Sequence, residues 1–280
     1  MGFRPQNTRA ISRPTRVRDQ RTAGDDAARL FLDPPKERKE TPMSTTLAPD
    51  RVAAVRTPRD TRTLRRAAVA VLLPLGPLSV VGIRGFLPYF TAGSTEEAVA
   101  QTAAHLGRMD LVLWLSVVAM IALVPSALGA VRLAQRRAPV LSLLAAALLV
   151  PSFILLFFGS GDPMLRVLAA SGLDSATAAR LYDDVAALGP MSLSLFGFVA
   201  GHIVGTVLLG LALWRASVIP PWAAIAVMVS QPLHFVAFVI VGSQPLDVVA
   251  WGLMAVGLGV AALRVLRTPN DEWDLPPVAR

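Results

Sequence analysis

Of the chain's 280 residues, 54% are hydrophobic and 16% charged. A soluble domain carries about a quarter charged residues, so this composition excludes an ordinary soluble globular protein. The net charge of +8 is uneven: roughly 16 basic and 8 acidic residues precede Ala67, and roughly 11 of each follow it. The basic excess therefore belongs to an N-terminal tail. It reads as a topology signal and a contact for anionic lipid headgroups, with no nucleic acid as partner. Cysteine is absent, which removes disulfides, thiolate metal sites and cysteine nucleophiles; histidine is limited to His105, His202 and His234.

Residues 1–42 are polar and rich in Arg and Pro, too poor in apolar surface to offset the entropy of ordering, and are expected to be disordered. Met43-Ser44-Thr45-Thr46 offers a second start, and Lys39-Glu40 can be encoded by AAG GAG, a sequence like a ribosome-binding site. Translation is therefore expected to begin at Met43. Residues 51–66 form a basic lead-in with room for a short surface helix, closing a disordered basic segment of residues 1–66.

Six apolar runs follow, each near the roughly 20 residues that cross a bilayer. They cover about 67–90, 110–133, 140–158, 191–214, 221–241 and 246–265. Pro74, Pro77, Pro125, Pro151 and Pro232 fall inside them. In a bundle, neighbouring helices can satisfy the carbonyls that proline frees, so kinked helices are expected rather than breaks. The fold class is all-α, a polytopic transmembrane helical bundle over residues 67–267, with residues 268–280 as a cytoplasmic C-terminal tail.

Arginine distribution sets the orientation. One side collects Arg62, Arg65, Arg66, Arg132, Arg136, Arg137, Arg215, Arg264 and Arg267; the other carries Arg108, Arg166 and Arg180 among six acidic residues. Basic loops stay cytoplasmic, so both termini are expected inside, in the cytoplasmic (inner) membrane. Trp214 and Trp222 then fall at the inner interface, and Tyr89, Trp114 and Trp251 at the outer one, as an aromatic belt would.

The outer loops carry helix signals of their own. Ser94-Thr95-Glu96-Glu97 reads as a capping box opening a short helix that ends at Gly107. The long loop after the third span reads as two amphipathic helices, 164–171 stopped by Gly172, and 175–188 capped by Asp174 or Ser175. They are expected to lie on the membrane surface or to lid the bundle.

No phosphate loop, G-x-S-x-G, H-E-x-x-H or dinucleotide fingerprint occurs, so no catalytic residue is assigned and the protein reads as non-enzymatic. What remains is polar residues inside the membrane, where each is costly. His202 lies about 16 Å from the outer end of its span and His234 about 12 Å from its own, at 1.5 Å per residue. Arg84 and Gln231 complete a cluster in the outer half of the bundle. Such a cluster serves either as a ligand site or as interhelical hydrogen-bonding glue. Asp110 and Asp247 each open a span and suit a helix N-terminus, and either could pair with Arg84. Gly197, Gly201 and Gly205 form a smooth stripe for close helix packing. His105 reads as a solvated surface residue.

Three runs carry a resemblance: Arg84-Gly85-Phe86-Leu87-Pro88-Tyr89, Gly201-His202-x-x-Gly205-Thr206 and Gln231-Pro232-Leu233-His234. With the arginine-over-lysine bias, the layout resembles the uncharacterised six-span integral membrane proteins of GC-rich bacteria. The resemblance implies no activity and transfers no roles.

The function expected is a small-molecule binding or permeation component. Its partners would be the lipid bilayer, a small anionic or amphipathic ligand, and a membrane-protein partner or a second copy. One alternative is a redox protein holding haem b between His202 and His234. Another is a regulatory subunit whose glycine stripe docks a partner helix.

Overall fold

The structure, a computed structural model, describes residues 59–90 and 93–274. The expectations for residues 1–58, including a start at Met43, lie outside the described residues. Six helices are long and apolar enough to cross a membrane. They are α1 (Arg62–Phe86), α3 (Leu106–Ala134), α4 (Pro139–Gly159), α7 (Gly189–Arg215), α8 (Pro221–Phe235) with a π-helical turn (Val236–Val241), and α9 (Gln244–Arg267). Each overlaps one of the expected spans. The short helices α2 (Thr95–Ala104), α5 (Asp162–Ala169) and α6 (Ser175–Ala186) occupy the loops at one end, and α10 (Asn270–Trp273) lies at the other. These are called the lid end and the terminal end.

The packing order follows the chain into a ring: α1 on α3, α3 on α4, α4 on α7, α7 on α8, α8 on α9, and α9 back on α1. Small residues fill its interior. Ala119, Ala130, Ala145, Ala212, Ala223 and Ala261 are buried, interleaved with Leu73, Leu149, Leu209 and Leu258. The outward faces carry exposed Ile121, Leu143, Phe196 and Ile240. That inversion, large apolar residues outside and small ones within, suits a bundle solvated by hydrocarbon.

The internal prolines remain within helices. Pro77 has no N–H to offer the carbonyl of Leu73 one turn earlier. The hydroxyl of Ser126 on α3 donates to that carbonyl instead, at 2.6 Å. A neighbouring helix thus repairs the bond that proline removes.

Local chemistry sets the lid. Ser94 caps α2 by accepting from the Glu97 N–H, but the helix breaks at His105 and α3 begins at Leu106, so Gly107 is not its terminator. His105, exposed as expected, is the hinge residue between the two. Asp174 caps α6 by accepting from the Thr177 N–H at 2.9 Å. Gly172 takes the left-handed backbone (φ 78°) that ends the α5 segment, and Gly242 (φ 69°) ends the π-helical turn.

Two expectations change here. Residues 268–274 do not trail away. Asn270 donates to Thr63, Arg62 pairs with Asp271, and Arg65 with Asp274, which pins this segment to the start of α1. Trp273 is buried beneath the Arg132 guanidinium, 5.5 Å from ring centre to Cζ. Nor do Trp251 and Tyr89 belong to an interfacial belt: Trp251 is 1% exposed and Tyr89 9%, whereas Trp114, Trp214 and Trp222 face outward. Both of the buried rings belong to the interior site.

Candidate functional site

The site is built around a carboxylate that lipid alone would not tolerate. Asp247 stands in the first turn of α9, a position favoured for an anion, and is 1% exposed. A buried carboxylate needs partners. Its Oδ2 lies 3.3 Å from Nε of Arg84, in the last turn of α1, and its Oδ1 accepts from Nδ1 of His234 on α8. Three helices are thereby tied at one point. The Arg84 guanidinium also lies over Phe238 of the π-helical turn, 5.1 Å from its centre. Asp110, the other carboxylate able to pair with Arg84, bonds Arg166 of α5 instead, at 2.7 Å.

The tautomers of both histidines follow from their neighbours. Nδ1 of His202 is 2.6 Å from the carbonyl oxygen of Phe198, which can only accept, so Nδ1 carries the proton. Nδ1 of His234 likewise donates to Asp247. Each neutral ring therefore keeps a bare Nε2 lone pair. That of His202 is buried without a partner among the described residues. The two rings are 5.7 Å apart, and Trp251 stands 6.4 Å from one and 5.6 Å from the other. Phe198 stacks on His202 at 4.1 Å.

Arg84, His202 and His234 all line one cavity of about 490 Å³. Val80, Ile83, Leu156, Phe198 and Phe238 supply much of its apolar wall. Its ceiling is the lid, with Asp162, Met164, Tyr182 and Val185. A second polar group sits there. The Tyr89 hydroxyl donates to Asp162 at 2.6 Å, beside Tyr182. Burial first, and then the Asp162 carboxylate, push both phenols above their ordinary range, so both remain protonated donors. Gly161 makes room for Tyr182, since a Cβ there would stand 2.6 Å from its ring.

Sequence reasoning placed Arg84, His202 and His234 together, and the structure brings all three to this cavity. Gln231 it does not bring there. That side chain is fully buried, with Nε2 3.5 Å from both Ser230 Oγ and Met254 Sδ. Gly197, Gly201 and Gly205 are covered by α4 of the same chain: a Cβ on Gly201 would stand 2.9 Å from that of Ser152, and one on Gly205 2.7 Å from Leu149 Cγ. The stripe is thus packed by α4 of the same chain.

Asp247, Trp251, Tyr89, Asp162 and Tyr182 are the site residues that sequence reasoning did not collect. Asp247 carried a signal, as one of the two carboxylates that open a span and could pair with Arg84. Among the described residues no cluster of three or more His, Asp or Glu is arranged to hold a metal. No family model matches the chain, and no curated protein or solved structure matches it, so its function rests on the chemistry of this cavity.

Proposed function

We propose that the protein is a non-enzymatic binding or permeation component of a bacterial cytoplasmic membrane, both termini inside, and that its cavity holds a small amphipathic molecule. The supporting observation is a pattern of half-used side chains. Arg84 faces Asp247 as an ion pair, Nε 3.3 Å from Oδ2, yet none of its nitrogens makes a hydrogen bond among the described residues. His202 and His234 commit Nδ1 and keep Nε2. Donors and acceptors thus converge on one end of a largely apolar cavity, the usual make-up of a ligand pocket. Interhelical glue alone would leave no such surplus.

The pairing also revises the ligand's charge. Asp247 neutralises Arg84, so the site selects a head group that both accepts and donates, not a bare anion. Orientation by the arginine-rich terminal end makes the lid end external.

Native mass spectrometry of protein released from its own membranes tests the reading. The expected result is a small-molecule adduct, reduced in Arg84→Gln and His234→Gln proteins that still accumulate. A bare mass in the parent protein would overturn it.

A further inference from the structure

Two routes lead into the cavity, and they differ in chemistry. Toward the lid end the way is latched. Tyr89 donates to Asp162 at 2.6 Å, Thr95 to Asp183 at 2.8 Å, and Arg166 bonds Asp110 at 2.7 Å, which ties α5 and α6 to the segment after α1, to α2 and to α3. Sideways the way is open. Leu195 on α7, Phe235 on α8 and Val239 on the π-helical turn line the cavity, yet they are 58%, 37% and 58% exposed. A side chain that both lines a cavity and faces outward marks an opening, and exposed Ala186 at the end of α6 continues it to the lid edge. The three on two facing elements outline a gap between α7 and the π-helical end of α8.

The surroundings of that gap identify the solvent. Leu193, Phe196, Ile240 and Val241 flank it, all large, apolar and more than half exposed. A mouth meeting water would carry a polar rim. This one opens on hydrocarbon.

The π-helical turn suits the same role. A π turn displaces the side chains after it relative to an α-helix, and such turns recur at functional sites. Here it carries both Phe238, over Arg84, and Val239, at the gap.

The head group is set by the inner end. Arg84 offers donors; His202 and His234 each offer a bare Nε2. With Arg84 and Asp247 offsetting each other and both rings neutral, the inner end holds no net charge; the further carboxylate on the wall, Asp162, sits at the lid and is bonded by Tyr89, so an unpaired charge entering the inner end would be costly. A protonated carboxylic acid meets every condition. It is neutral in lipid, its carbonyl accepts from Arg84, and its O–H donates to an imidazole nitrogen. The volume of about 490 Å³ suits a ligand with a substantial apolar body.

We infer that the cavity takes a long-chain carboxylic acid in its protonated form directly from the bilayer, through the gap between α7 and the π-helical turn. This rests on the amphipathic-ligand reading above and names the class and the route.

The test uses the full chain in lipid nanodiscs with hexadecanoic acid carrying a diazirine midway along its chain. Photolysis is expected to label residues 195–203 and 235–239. Unlabelled hexadecanoic acid should suppress the labelling at least tenfold more effectively than hexadecanol, and hexanoate should not suppress it. Narrowing the gap with Leu195→Trp and Val239→Trp, both at outward positions, is expected to slow labelling at least tenfold without lowering the melting temperature. Labelling that is not saturable, or confined to Phe196 and Ile240, would overturn the inference. So would equal competition by hexanoate, or an unchanged labelling rate in the narrowed variant. A native adduct that is not an acid would overturn it while leaving the amphipathic-ligand reading standing.

Discussion

The carboxylate of Asp247 lies 3.3 Å from Nε of Arg84, and this contact joins the first and last membrane-spanning helices of the bundle. Asp247 is almost wholly buried and Arg84 largely so. Removing one partner therefore leaves the other charged in an apolar interior, which costs more than the pair itself gains. Asp247→Asn is expected to destabilise the protein by about 3 kcal/mol. The double variant Arg84→Gln, Asp247→Asn should recover part of that loss. A double-mutant cycle on thermal denaturation in detergent reads the coupling directly. Additive losses would mean that the two charges do not sense each other.

The glycine stripe gives a second, sharper contrast. A Cβ at Gly201 would stand 2.9 Å from the Ser152 Cβ and 3.1 Å from the Leu148 carbonyl, whereas one at Gly252 would meet nothing within 4 Å. Gly201→Ala must push α4 away from α7 and is expected to cost about 1–3 kcal/mol. Gly252→Ala removes only backbone freedom from α9 and is expected to be neutral or slightly stabilising. Melting temperatures of the two variants should separate by several degrees in that order.

Most of the bundle was legible in the sequence because hydrocarbon imposes one simple demand, a long apolar run. The lid was legible for local reasons: Ser94 and Asp174 are capping residues, and Gly172 supplies a left-handed stop. The site was legible only in part. Arg84, His202 and His234 announced themselves as polar residues at similar depth. Nothing in linear spacing said that α9 would close the ring against α1, so Asp247 remained one of two carboxylates able to reach Arg84. Trp251 was misplaced because a tryptophan near a span's end has two good homes, an interface and a core, and the neighbouring helix decides between them. Gln231 shares a helix turn with His234, but the face it presents meets Met254 and not the cavity.

Tyr89 makes the lid sensitive to alkali. Its phenol donates to Asp162, and burial beside that carboxylate holds its pKa far above the ordinary value. A group whose folded pKa is raised contributes stability below its unfolded pKa and loses it as pH rises beyond. The contribution should thus be complete at neutral pH and decline above about pH 10. Tyr89→Phe is expected to remove that decline and to raise amide exchange in α5 at neutral pH. Hydrogen exchange of residues 162–169 at two pH values checks both outcomes.

Asp174 predicts the opposite pH response one helix away. The Thr177 N–H bonds its carboxylate and holds the pKa below the usual range. A depressed carboxylate contributes above its unfolded pKa and loses that contribution as pH falls through the folded value. Protection of α6 should therefore hold down to about pH 4 and weaken below it. Asp174→Asn keeps a cap without a charge and is expected to abolish the acid dependence while retaining most of the protection. Asp174→Ala should fray the first turn at every pH.

The threading itself is open to a direct measurement, because the native chain has no cysteine to mask. Exposed Ser171 lies in the loop between α5 and α6, and exposed Arg136 between α3 and α4 at the terminal end. Single cysteines at the two positions must react from opposite sides of a sealed membrane if the bundle spans it. Basic residues resist transfer across the bilayer, and those at the terminal end outnumber those at the lid end. An impermeant maleimide added to intact cells is therefore expected to label Ser171→Cys, and to label Arg136→Cys only after permeabilisation. The reverse pattern would place the lid in the cytosol. The lateral gap would remain where it is, but the latched face of the cavity would then look inward.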